Sequence, residues 1–115
     1  MITLYGIPNC DTTKKAMSWL KANKIPFTFH DYKQQGISKE KLKEWLKKQP
    51  LDTVFNKRST AWKELSEKEQ QQAGTEEGSI KLMLQHNNLI KRPAAEISGT
   101  ILFGFSEPTY KQAFL

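Results

Sequence analysis

With one cysteine among 115 residues, the chain cannot close an internal disulfide and needs no oxidising compartment to fold. No apolar run approaches the roughly 20 residues that a membrane helix requires. Met1–Ile7 is too short an apolar stretch for a secretory signal, and no small-residue cleavage site follows it. Glycine and proline are sparse, at 6 and 5 residues, which excludes a collagen-like chain. Neither a P-loop nor a Gly-x-Gly-x-x-Gly pattern occurs, so the common nucleotide fingerprints are missing. His30 and His86 lie far apart and match no zinc spacing, and a lone cysteine cannot complete a structural zinc site, so no metal is expected. A membrane protein and a disulfide scaffold are thereby excluded, and a cytoplasmic location is expected.

What remains is a small basic chain. Hydrophobic residues make up 37% and aromatics 10%, enough to build the core of one domain. Eighteen Lys and Arg stand against twelve Asp and Glu, a net charge of +6 with a pI near 9.5. That balance permits an anionic partner without requiring one. Lys39, Lys43 and Lys47 form an i, i+4 row that reads as a solvated helix face, so nucleic acid is not an expected partner.

Hydrophobic periodicity orders the rest. Ile2–Tyr5 alternates as a strand, stopped by Gly6 and Pro8. Asp11–Asn23 reads as a helix with Ala16, Trp19 and Leu20 on one face. Phe27–Tyr32 alternates again, so the first three elements form a βαβ unit with parallel strands. Ser38 caps a helix to about Gln49 with Leu42, Trp45 and Leu46 inward, and a turn is expected over 51–56. Ser66 and Glu69 have capping-box spacing. Thr75 caps a helix with Ile80, Met83 and Leu84 inward. After Arg92-Pro93 come two short strands joined at Ser98-Gly99-Thr100, a hairpin. Ser106 caps a last helix, with Pro108 in its first turn and Tyr110, Ala113 and Phe114 available for packing. The pattern is α/β: a thioredoxin-like mixed four-stranded sheet, βαβ then ββα, with a helical insertion at about 37–88 inside a single domain 1–115.

Cys10 is the sharpest chemical feature. It ends the loop between the first strand and first helix, where free N–H groups and the helix dipole favour thiolate over thiol. Lys14 and Lys15 follow one turn on and add positive charge, while Asp11 opposes them. Three residues after Cys10, where a redox pair would carry its second thiol, stands Thr13. Its hydroxyl can donate to a thiolate but cannot resolve a mixed disulfide, so turnover needs an external thiol. In a thioredoxin-like sheet the proline before the third strand sits in a cis peptide beside the cysteine. Pro93 is therefore expected to be cis, and Arg92 to point into the Cys10 cleft as a cation for an oxyanion or carboxylate.

The segments Leu4–Ala16, Phe29–Tyr32, Ile80–Gln85 and Ile90–Pro93 together resemble the ArsC/Spx family, most closely its small YffB-like, arsenate-reductase-like members. The resemblance spans essentially the whole chain and implies the same fold. Glutaredoxin-linked arsenate reductases of the family use the cysteine that matches Cys10 as nucleophile. They carry a histidine where this chain has Gly6. Of their three oxyanion-holding arginines, one matches Arg92, while Asn56 (with Arg58 nearby) and Gly104 occupy the other two positions. Spx regulators bind RNA polymerase and often carry a C-x-x-C switch, which Thr13 removes here.

The expected function is a glutathione-linked monothiol oxidoreductase that does not take arsenate as its main substrate. Cys10, Arg92 and Thr13 are the catalytic set; Asn9, Asn56, Arg58, Arg92 and Pro93 are the substrate- or glutathione-binding set. Glutathione is a co-substrate, no cofactor is bound, and the partners are glutathione or glutaredoxin. No membrane is involved, and the protein is expected to be a monomer. The alternative is an Spx-like regulator that binds RNA polymerase or another protein without catalysis.

Overall fold

The computed structural model describes all 115 residues, Met1–Leu115. In chain order the elements are β1 (Ile2–Gly6), α1 (Asp11–Ala22), β2 (Phe27–Asp31), α2 (Tyr32–Gln35), α3 (Lys39–Lys48), α4 (Leu51–Val54), α5 (Thr60–Glu64), α6 (Glu67–Gln72), α7 (Glu76–Gln85), a 3-10 turn (Asn87–Leu89), β3 (Ala94–Ile97), β4 (Thr100–Phe103) and α8 (Glu107–Phe114). They fall into two compact units. One combines Met1–Gln35 with Arg92–Leu115; the other is Gly36–Lys91. The second occupies the place of the insertion read at about 37–88.

The first unit is the thioredoxin-like frame, a four-stranded sheet in the order β2-β1-β3-β4. β1 pairs with β2 in parallel, and the other two pairings are antiparallel. Period-two alternation splits the side chains between two faces. Ile2, Leu4 and Ala95 are buried on one face with Ala16, Trp19 and Leu20 of α1 and Tyr110 of α8. Tyr110 sits edge-on to Trp19, Phe105 and Phe114, at centroid distances of 5.6, 4.9 and 5.2 Å. Large rings buried this way contribute about 1.5–3 kcal/mol each. Ala113, expected to pack, is exposed.

Local chemistry explains the joints. α1 ends in a Schellman motif: Ile25 N–H donates to Leu20 C=O at 2.9 Å and Lys24 N–H to Lys21 C=O at 3.1 Å. Lys24 takes the left-handed position, at φ 58°. Ser98 and Gly99, at φ 45° and 82°, form the hairpin corner, both with the positive φ of a type I′ turn. Tyr32, read as the end of the second strand, instead opens the short α2 and is fully buried.

The helical unit buries Leu42 and Trp45 of α3, Val54 and Phe55, Leu82 and Met83 of α7, and Leu89 and Ile90. The segment read as a turn at 51–56 contains the one-turn helix α4. It is followed by a single antiparallel bridge, Phe55 to Ile90, flanked by Asn56 N–H to Leu89 C=O at 2.7 Å and Lys91 N–H to Val54 C=O at 2.8 Å. α5 lacks a sequence signal strong enough to separate it from its polar surroundings; Ser59 caps it through the Trp62 N–H. The capping box of Ser66 and Glu69 is present in full. On α7 the buried positions are Ser79, Ile80, Leu82 and Met83. Leu84 lies about 120° round the helix from the centre of that arc and is exposed rather than inward. Leu46 of α3 is only half-buried. No helix is long and apolar enough to cross a membrane.

Candidate functional site

The loop after β1 is a turn closed by Cys10 N–H donating to Ile7 C=O at 3.1 Å, with Pro8 and Asn9 exposed at its corner. Proline at the second position of such a turn has its φ already set. The turn delivers Cys10 as the N-cap residue of α1, with extended backbone at φ −89° and ψ 125°. Its carbonyl then accepts the first helical bond, from Lys14 N–H at 2.9 Å. The thiol is partly exposed and free.

Three influences meet at its sulfur. Burial raises the thiol pKa. The Thr13 backbone N–H, a hydrogen bond from Arg92, the Thr13 hydroxyl and the charge of Arg92 outweigh burial, and bring it down from 9.0 to about 7. The free N–H groups at a helix start thus act here as the sequence pattern required. Lys14 and Lys15 do not act: both are exposed, and neither contributes to the Cys10 shift. Arg92 supplies the positive charge expected of them.

Thr13 is fully buried on the first turn of α1, and its hydroxyl makes no hydrogen bond of standard geometry. Its use is electrostatic, toward the Cys10 sulfur. Gly6 explains how it is held. A Cβ at position 6 would lie 2.8 Å from Thr13 Oγ1 and 2.9 Å from its Cγ2. The last residue of β1 is bare so that Thr13 can fill that space, and a histidine at position 6 cannot coexist with this Thr13 rotamer.

The Arg92-Pro93 peptide is cis, as the sequence reading required. Pro93 is buried and its carbonyl accepts from Gly104 N–H at 2.8 Å. Gly104 has φ 81°, a conformation that strains any residue with a side chain, so an arginine there would cost backbone energy. Asn56 and Arg58 belong to the helical unit. The Asn56 side-chain oxygen accepts from Arg58 N–H at 3.1 Å, an Asx turn that shapes their own loop, and the Arg58 side chain is exposed. Of the expected site residues, Cys10, Thr13 and Arg92 are brought into contact, Asn9 lies on the turn before Cys10, and Pro93 follows Arg92. No group of three His, Cys, Asp or Glu side chains comes together as a metal site.

Sequence reasoning missed a polar group on the opposite face of the sheet from α1. Tyr5 donates its hydroxyl hydrogen bond to Glu96 at 3.1 Å. Its ring lies 4.7 Å from His30 and is stacked at 6.1 Å on Tyr32. The phenol of Tyr32 is buried with no standard hydrogen bond. Burial pushes it well above its ordinary pKa, Tyr5 adds to that, and Arg92 and Glu96 act on it with opposite signs. The signal available was parity: Tyr5, His30 and Glu96 all alternate onto the sheet face away from α1, and Glu96 is an acid inside an otherwise apolar strand.

Comparison with known proteins agrees with this construction. Residues 5–113 match the ArsC family. An uncharacterized protein of Haemophilus influenzae is 38% identical over 99% of both chains. The global transcriptional regulator Spx 1 of Lactococcus lactis is 30% identical over all of this chain and 89% of its own. Among solved structures, the YffB protein superposes with a TM-score of 0.94 at 40% identity over the full length of both chains. An arsenate reductase (ArsC) related protein from Brucella melitensis gives 0.76 at 37% identity, over 98% of this chain and 92% of its own. A thioredoxin-like sheet with a cysteine at its first strand-to-helix joint, matched over nearly every residue, makes this chain a member of the ArsC family.

Proposed function

We propose that the protein is a cytoplasmic, monomeric, glutathione-linked monothiol reductase. The observation that carries this reading is the Cys10–Arg92 pair, with the thiol at about 7 and a threonine where a resolving thiol would stand. At neutral pH such a thiol is about half thiolate, which makes it an effective nucleophile. The arsenate reductase related neighbour from Brucella melitensis supports thiol-based reduction as the general chemistry.

The cycle balances with glutathione alone. Cys10 thiolate attacks the glutathione sulfur of a mixed disulfide between glutathione and substrate. A Cys10–glutathione disulfide forms, and the substrate sulfur leaves as thiolate and takes a proton from water. A second glutathione thiolate then attacks the glutathione sulfur on Cys10. Cys10 departs as thiolate, and oxidised glutathione carries away the two electrons' worth of oxidation. Arg92 orients a carboxylate of glutathione, and Thr13 and its N–H stabilise the departing Cys10 thiolate. Asn9 and Pro93 border that position. Glutaredoxin can replace glutathione in the second step, and no bound cofactor takes part.

Incubation with oxidised glutathione followed by mass spectrometry tests the reading. One glutathione adduct on Cys10, lost in Cys10→Ser, is the expected result. Absence of an adduct, together with no chemical-shift change around Cys10 and Arg92 at millimolar reduced glutathione, refutes it.

The similarity to Spx 1 supports one other reading, a regulator that binds RNA polymerase without turnover. Co-purification with polymerase, in a protein that does not reduce a model disulfide, is the result that favours it.

A further inference from the structure

Glu96 sits where an acid is expensive. It lies inside β3, opposite Thr3 of β1 and Ile101 of β4. Its strand neighbours Ala94 and Ala95 are buried. Glu96 is itself partly buried, and a carboxylate in such a place is stabilised by hydrogen bonds and a counter-charge. The Tyr5 hydroxyl supplies the first, at 3.1 Å. Tyr5 is itself fixed by its rings' neighbours, His30 at 4.7 Å from β2 and Tyr32 at 6.1 Å from α2. β4 brings no charge to this face, since its residues are Thr100 to Phe103.

Arg92, whose Nε is buried, is the cation whose charge reaches this group. The Tyr32 phenol marks the spot, because it is fully buried and within electrostatic reach of both Arg92 and Glu96. Arg92 also reaches forward to the Cys10 sulfur. Its charge therefore acts both on the nucleophile and on the buried Tyr32 phenol, on whose ring Tyr5, the donor to Glu96, is stacked. A long arginine side chain has several rotamers of similar energy, and a partner at its rear selects among them.

We propose that Glu96, oriented by Tyr5 and walled in by Tyr32, is a positioning residue that holds the Arg92 guanidinium against Cys10. This rests on the reading of Cys10 and Arg92 as the working pair. Glu96 is not among the groups that shift the Cys10 thiol.

The sign of one measurement separates positioning from background charge. Removing a nearby anion, with nothing moved, can only favour the thiolate and lower the Cys10 midpoint. Releasing Arg92 removes its hydrogen bond and charge from the sulfur and raises the midpoint. The experiment is the pH dependence of Cys10 alkylation by iodoacetamide in the full chain, for the native protein, Glu96→Gln, Tyr5→Phe, Arg92→Ala and Glu96→Gln in the Arg92→Ala background. Glu96→Gln is expected to move the midpoint up from about 7, with a several-fold loss of alkylation rate at pH 6. Tyr5→Phe, which keeps the stacked ring and removes only the donor to Glu96, is expected to shift it the same way by a smaller amount. In the Arg92→Ala background, Glu96→Gln is expected to raise nothing further, the signature of action through Arg92. A midpoint that is unchanged or lower in Glu96→Gln, or an equal rise with and without Arg92, overturns the proposal. If Glu96→Gln does not fold, as circular dichroism would reveal, Tyr5→Phe decides by the same sign. A native midpoint near 9 would instead defeat the pairing of Cys10 with Arg92, a separate failure visible before any variant is made.

Discussion

Replacing Arg92 by alanine tests the site most directly. Arg92 acts on Cys10 twice, by a hydrogen bond and by its charge. A hydrogen bond to a charged group is worth about 1.5–3 kcal/mol, and about 1.4 kcal/mol corresponds to one pH unit of midpoint. Without Arg92, the Thr13 N–H and hydroxyl alone oppose burial. The midpoint should therefore climb by about one to two pH units, from about 7 toward 9.0. At pH 7 the thiolate fraction then drops from about one half to between roughly one tenth and one hundredth, a five- to fifty-fold loss. Alkylation rate against pH reads the midpoint itself, which matters because a more basic thiolate is intrinsically more nucleophilic and offsets part of the loss at any single pH. Arg92→Lys keeps a charge but loses the planar fork, so it should recover only part of the shift. An Arg92→Ala midpoint that stays near 7 would refute the assignment and leave the helix start as the cause of the acidity.

Other outcomes follow from particular contacts. Gly6→Ala places a Cβ 2.8 Å from Thr13 Oγ1, so it should destabilise the fold by about 1–3 kcal/mol in urea denaturation, and Thr13→Ala added to it should restore most of that loss; no rescue would mean the clash lies elsewhere. Lys24→Gly relieves a left-handed residue at the end of α1 and is expected to stabilise by roughly 0.5–1 kcal/mol, read as a higher melting temperature without change in Cys10 reactivity. Arsenate should be reduced slowly in the presence of glutathione and glutaredoxin, because Gly6, Asn56 and Gly104 stand where the reductases carry a histidine and two arginines; efficient turnover would show that one guanidinium suffices.

What the sequence determined by itself is what depends on near neighbours in the chain. Ile2, Leu4 and Leu20 announce their faces by period two and period 3.6 because burial follows backbone periodicity. Ser38, Ser66 and Thr75 announce helix starts because a side-chain oxygen meets an N–H only three residues on. Cys10 declares itself the same way, by standing at a strand-to-helix joint with Thr13 one turn later. Short, weakly amphipathic elements were illegible: α4 and α5 have 4 and 5 residues, too few for a period to emerge. The inward face of α7 was misread at Leu84, since an apolar residue does not state which neighbour covers it.

Tertiary structure alone decided which charge reaches the sulfur. Lys14 and Lys15 are near Cys10 in sequence but exposed and without effect on it, whereas Arg92 is 82 residues distant and hydrogen-bonds it. The bond between Tyr5 and Glu96 joins residues 91 apart. The reason is physical: a charge acts through the distance and dielectric between two atoms, and chain order constrains neither once strands from opposite ends of the chain lie side by side.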